Sequence, residues 1–145
     1  MGQQVLVPVD GSSHSEKALD YVLEEVPEPT ITVLHVVNPV SMLAYSDDDG
    51  YFNVDAYQQI ERRKNKQATE LLEGYRKKAT EHGVEIDTII KTGKPAKRIL
   101  ETAENGDLDH IVMGSRGRSS VGQVLFGSVA RTVTKRATVP VTVVR

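Results

Sequence analysis

The chain contains no cysteine. Disulfides, thiolate nucleophiles and every cysteine-based zinc or iron–sulfur site are therefore excluded. Tryptophan is absent too, and aromatic residues make up only 5% of the chain, too few for the stacking platforms that bind single-stranded nucleic acid. Neither sign of charge is in excess. Lys and Arg number 18 against 20 Asp and Glu, a formal net charge of -2, whereas a dedicated nucleic-acid binder carries a basic surplus. No apolar run approaches the ~20 residues that a membrane-spanning helix needs. Residues Met1–Gln4 are short and polar, and Val5 already starts a strand-like run, so no secretory leader is expected. The expectation is a cytoplasmic protein, with the missing cysteines in keeping with a reducing compartment.

Familiar catalytic signatures are missing as well. The chain has no G-x-x-x-x-G-K-[ST] phosphate loop, no G-x-G-x-x-G after its first strand and no H-E-x-x-H zinc helix. It lacks the G-x-S-x-G nucleophile elbow. It also lacks the S-G-G-x-D-S and H-x-G-H signatures of α/β folds that activate substrates with ATP. The run Asp47-Asp48-Asp49-Gly50 does not have EF-hand spacing and reads as an acidic loop. His14, His35, His82 and His110 are scattered and are expected to be structural or solvated.

What the chain does have is alternation. Its 145 residues suit one domain spanning residues 1–145. Val5–Val9 is a buried, strand-like run ending at Asp10-Gly11, with Pro8 near its end. Ser13 and Glu16 fit a capping box, and Ala18, Leu19, Val22, Leu23 and Val26 follow at helical spacing. Thr30–Val37 is a second, β-branched strand. Residues 38–55 have no period and read as a long loop. From Asp55 to about His82 the period is helical again, and Arg62, Arg63, Lys64 and Lys66 lie opposite its apolar stripe. Phosphate binding is one reading of that basic run, and a solvated helix face is the expected one. Gly83 stops this helix. Val84–Lys91 alternates as an edge strand does, and Pro95 opens a helix that Asn105-Gly106 closes. Asp109–Met113 is a fourth buried strand, a helix runs to about Arg136, and Pro140–Val144 is the last strand.

Strands alternating with helices imply a parallel sheet with right-handed crossovers. Ligands bind such a sheet at the carboxyl ends of its strands. That rule selects Asp10-Gly11, His35-Val36-Val37 and the stretch from Gly114 onward. The last of these is the richest. Met113–Arg131, MGSRGRSSVGQVLFGSVAR, carries Gly114, Gly117, Gly122 and Gly127 and leads into a helix. Glycines allow close backbone approach, successive N–H groups can form an anion nest, and a helix N-terminus suits phosphate. Ser128 adds a hydroxyl, and Arg116 and Arg118 add positive charge. Beyond the second strand, the Val36 backbone could read an adenine edge, with Val37 and Pro39 as apolar walls. A plain core valine is the other reading of Val36. Asp10 could meet a ribose or a metal, or could simply cap its own turn.

The spacing Gly114-x-x-Gly117, nine residues, then Gly127-Ser128 resembles the ATP-binding signature of the universal stress protein family. VLVPVDGSSHSEKAL looks like that family's first strand and helix, VLHVV like its second strand and VPVTVVR like its last, so the resemblance covers the whole chain. It implies a single three-layer α/β domain of the Rossmann-like, adenine nucleotide alpha hydrolase-like kind. The implied sheet has five parallel strands in the order 3-2-1-4-5, with helices on both faces. It further implies that Asp10 lies at the ribose and near a Mg²⁺ or Mn²⁺ ion, and that the Val36 backbone contacts adenine. Gly114, Gly117, Gly127 and Ser128 would contact phosphates, with Val129 close by. Pro8, Met113 and Arg116 complete the candidate ATP-binding set, the role of Arg116 resting on its charge alone. The implied function is an ATP-binding stress-response or signalling module with at most slow hydrolysis. The alternative is an ATP hydrolase or phosphoryl-transfer enzyme, which would also need a base or water-positioning group. A homodimer built on the last strand, Val139–Val144, is expected, because an open sheet edge invites pairing with a second copy.

Overall fold

A computed structural model describes residues 2–39, 46, 50–116 and 127–145. Five strands and four helices alternate: β1 (Gln4–Val9), α1 (Ser13–Glu25), β2 (Thr30–Val37), α2 (Val54–Glu81), β3 (Ile86–Thr92), α3 (Pro95–Asn105), β4 (His110–Gly114), α4 (Ser128–Arg136) and β5 (Val141–Val144). The strands form one sheet in the order β3-β2-β1-β4-β5, and every neighbouring pair is parallel. This is the expected topology.

The sheet separates two apolar cores. On one face Val5, Val7, Val9, Ile31 and Val33 pack against Ala18, Leu19 and Val22 of α1 and Leu72, Tyr75 and Ala79 of α2. On the other face Leu6, Leu34, Ile111 and Met113 pack against Ile99 and Ala103 of α3 and Ala130 and Val133 of α4. Alternate residues of β1 thus serve opposite cores, which is why Val5–Val9 is apolar without a break. Edge strand β3 is buried only at Ile86 and exposed at Asp87 and from Ile90 to Thr92. All four residues of the other edge strand, β5, are half-buried.

Local signals mostly behave as their chemistry predicts. Pro95 stands at the start of α3. Gly83 takes φ +75° after α2. There the Val84 N–H reaches back to Ala79 O at 2.9 Å and the Gly83 N–H to Thr80 O at 2.9 Å, closing the last turn. Strand β3 therefore begins at Ile86, two residues later than its alternation implies. The cap of α1 is Ser12 rather than Ser13: its side chain accepts from the Ser15 N–H at 3.2 Å. Among the described residues, no helix is long and apolar enough to cross a membrane.

Candidate nucleotide site

A cleft of about 750 Å³ opens at the carboxyl ends of β1, β2 and β4. Its position follows from the register. Strand β1 pairs with β4 only at Val5↔His110 and Leu6↔Ile111, but with β2 as far as Val9↔His35. Beyond Leu6 the two central strands part. Gln3 O accepts from Thr30 on the β2 side, and Gln4 O accepts from Asp109 on the β4 side. By alternation the Pro8 nitrogen faces β4, where pairing has already ended. The proline therefore costs no ladder bond, and it lines the cleft.

Val36 shows both of its expected characters. Its side chain packs into the core beneath α3 and α4. Thr30 turns its N–H toward β1, so Val36, six residues on, turns its backbone the same way. Strand β1 stops one register position short of it. The backbone of Val36 thus reaches the cleft while its side chain stays in the core. His35 donates or accepts through Nδ1 at Val9 O, 2.8 Å away; a carbonyl only accepts, so Nδ1 carries the proton.

Asp10 closes β1. Its Oδ1 accepts the Ser12 N–H at 2.9 Å, an Asx turn that leads into α1. Among the described residues it is the sole carboxylate in the cleft wall. Gly11 follows at φ +83°, a left-handed conformation that favours glycine.

Opposite lies the N-terminus of α4. The Gly127 N–H donates to Ser115 O at 2.6 Å and the Ser115 N–H to Val144 O at 2.8 Å, pinning the helix start to the ends of β4 and β5. Among the described residues no side chain caps α4. The N–H groups of its first turn, at Ser128, Val129 and Ala130, border the cleft with the positive end of the helix dipole. Gly127 itself has φ -71°, so the positive-φ reason for a glycine does not apply at that position. Gly114 has a different reason. A Cβ there would lie 2.7 Å from the His14 carbonyl carbon and Cβ and 2.8 Å from its oxygen. That glycine lets α1 approach β4, a requirement of the fold that holds with or without a ligand.

The candidate residues Pro8, Asp10, Val36, Met113, Gly114, Arg116, Gly127, Ser128 and Val129 thus converge on one cleft. Gly117, Arg118 and Gly122 lie outside the described residues, as do Asp47–Asp49. Of the expected apolar walls, Val37 lines the cleft and Pro39 does not; Pro95 and Ile99 of α3 stand there instead. Helix α2 supplies residues that sequence reasoning missed, namely Lys64, Gln67, Ala68 and Leu71. Lys64 belongs to the basic run read as solvated. It is half-buried, and its Nζ donates to Asn38 O at 3.2 Å. Its spacing of four and seven residues from Ala68 and Leu71 is the signal that could have placed it on the inner face.

Residues 1–145 match the universal stress protein family. The chain belongs to that family. Among its members, Universal stress protein YxiE of Bacillus subtilis (strain 168) is 34% identical over 149 residues, which cover 100% of both chains. The solved structure of protein MJ0577 of Methanocaldococcus jannaschii superposes with a TM-score of 0.82 at 26% identity, covering 98% of this chain and 94% of that one. A family protein from Arabidopsis thaliana, solved with AMP bound, shares the fold with a TM-score of 0.71 at 24% identity, covering 98% of this chain and 90% of that one. In this universal stress protein fold the described members of the glycine-rich stretch, Gly114, Gly127 and Ser128, line the cleft.

Proposed function

We propose that the protein is a cytoplasmic stress-response or signalling module that holds ATP in this cleft. The observation that carries the reading is the first turn of α4, which no side chain caps among the described residues. It faces a cleft whose described wall has cations at Lys64 and Arg116 and a single carboxylate, Asp10. Free N–H groups and a positive dipole end are a site for phosphate. The Val36 backbone would take the adenine edge, Asp10 a ribose hydroxyl, and Ser128 and Val129 the phosphates, with Gly114, Gly117 and Gly127 allowing close approach. AMP in a protein of the same fold supports an adenine nucleotide as the ligand class.

Among the described residues, no group of three His, Asp or Glu could hold a metal ion. One carboxylate is too few for a resident ion. It does suit a Mg²⁺ or Mn²⁺ carried in on phosphates and waters, for which one or two carboxylates are usual. When bound, the metal would neutralise phosphate charge.

The alternative, ATP hydrolysis or phosphoryl transfer, needs a group to orient or deprotonate the nucleophile. Asp10 and His35 are the described candidates in the wall, and both have structural work: Asp10 holds Ser12, and His35 holds Val9 O. Binding with at most slow hydrolysis is the reading that this favours. A homodimer through β5 belongs to the same proposal.

Mass spectrometry of gently purified protein, looking for carried-over ATP or ADP, tests the ligand directly. Calorimetry should then show a preference for ATP over GTP and a loss of at least roughly tenfold in Gly127→Val, about 1.4 kcal/mol. Unchanged ATP affinity in a folded Gly127→Val protein refutes the placement of phosphate at α4.

A further inference from the structure

The turn that carries Asp10 rests on α2. A Cβ on Gly11 would meet Leu71 Cδ1 at 3.4 Å, and one turn further along the helix Tyr75 lies under the same turn. Tyr75 is only 7% exposed, with its ring in the core between α1, α2 and the sheet. Its hydroxyl is 2.9 Å from Ser15 Oγ. Ser15 is 4% exposed and gives its one proton to Ser12 O at 3.0 Å. At the Tyr75 contact Ser15 must therefore accept and Tyr75 donate.

The result is a chain of bonds polarised in one direction, from Tyr75 O–H to Ser15 O–H to Ser12 C=O. It ends on Ser12, whose N–H holds Asp10 Oδ1 at 2.9 Å. Ser15 Oγ also lies 3.4 Å from the Asp10 N–H, at the long limit for a hydrogen bond. A phenylalanine would fill the same core volume as Tyr75. A buried hydroxyl costs free energy unless it is bonded, and here its bond goes to Ser15.

We infer that Tyr75, acting through Ser15, is a positioning residue that fixes the Asp10 carboxylate for recognition of the ligand's ribose hydroxyls. The inference rests on the proposed placement of Asp10 at the ribose. Calorimetry with ATP and 2′,3′-dideoxy-ATP on wild type and Tyr75→Phe tests it. Wild type should prefer ATP. In Tyr75→Phe the ATP affinity should fall about tenfold, while dideoxy-ATP binds as before, so the preference collapses. In an Asp10→Ala background Tyr75→Phe should change neither affinity. Ser15→Ala cuts the same chain from α1 and should repeat the result if Tyr75→Phe proves too unstable to titrate. An equal loss for both ligands, or a loss that persists without Asp10, overturns the positioning role. A wild type that binds both ligands equally removes Asp10 from the ribose, and the inference with it, while leaving the nucleotide reading in place. A wild type that binds neither removes both.

Discussion

The Arg76 guanidinium donates to the Ile86 carbonyl at 2.9 Å and covers the outer edge of β3. The direction of that carbonyl follows from the register. Thr30 turns toward β1, so Ile31 turns toward β3, and its partner Ile86 turns outward. Thr88, Ile90 and Thr92 turn outward with it. Arg76 also bonds Thr88 Oγ1 at 3.0 Å, and Arg98 Nε donates to Thr92 O at 2.9 Å. Two arginines thus occupy the two ends of this edge. Strand β5 has no such cover among the described residues. Ile111 donates to Pro140 O and Ser115 to Val144 O, so Val141 and Val143 present their backbone groups outward.

Assembly should therefore run through β5. Val143→Pro deletes an outward N–H and no bond to β4, so sedimentation should show the wild-type dimer replaced by monomer. Arg76→Ala combined with Arg98→Ala should uncover the second edge and give species larger than the dimer. A double variant that sediments like wild type would mean that these arginines do not guard the edge.

Gly114 is a packing glycine, so Gly114→Ala should lower stability with no ligand present. A Cβ placed 2.7 Å from the His14 main chain forces α1 to shift, at a cost of about 1–3 kcal/mol. Urea denaturation of the ligand-free protein measures it. An unchanged midpoint would return this glycine to a purely ligand-based role.

The contrast between Gly114 and Gly127 marks what sequence can and cannot tell. The parallel sheet and the cleft at its strand ends were legible in the alternation of strands and helices, and the strand order in the family resemblance. Spacing showed that glycines recur before α4 but not why each is there. One accommodates His14, and the other has an ordinary φ of -71°. Lys64 was illegible for a related reason. Periodicity assigns a residue to a helix face, but what that face meets depends on how α2 lies across the end of β2. The Ser15–Tyr75 bond joins residues 60 apart, and no local pattern announces it.

Lys64 is half-buried in the cleft wall and bonded to the Asn38 carbonyl, whereas Lys78 pairs with the carboxylates of Glu16 and Asp20. Its charge is available to a phosphate. Lys64→Gln should weaken ATP by about threefold to tenfold and leave adenosine unaffected, with a shallower dependence of ATP affinity on salt. Titrations of both ligands at two ionic strengths decide it. Equal losses for ATP and adenosine would show that Lys64 does not meet the phosphates.

The last prediction concerns acid stability, at the end of the sheet away from the cleft. His110 Nδ1 lies 3.1 Å from Gln3 Oε1 and its Nε2 lies 2.7 Å from Thr142 Oγ1, so the ring ties β4 to β5 and to the residue before β1. Gln3 Oε1 can only accept. The neutral ring therefore donates from Nδ1 and accepts the Thr142 proton at Nε2. Burial holds the His110 pKa below its ordinary value. The folded state thus resists a proton that the unfolded chain takes up freely. Above about pH 6.5, the unfolded value, both states are neutral and the contribution of the ring is complete. As the pH falls from there through the lower folded value, the unfolded state binds more protons and stability drops. His110→Gln removes this titration and leaves the carboxylates common to both proteins. Unfolding free energies measured between pH 7.5 and pH 5 should therefore fall more steeply for wild type than for His110→Gln, and parallel curves would refute the assignment.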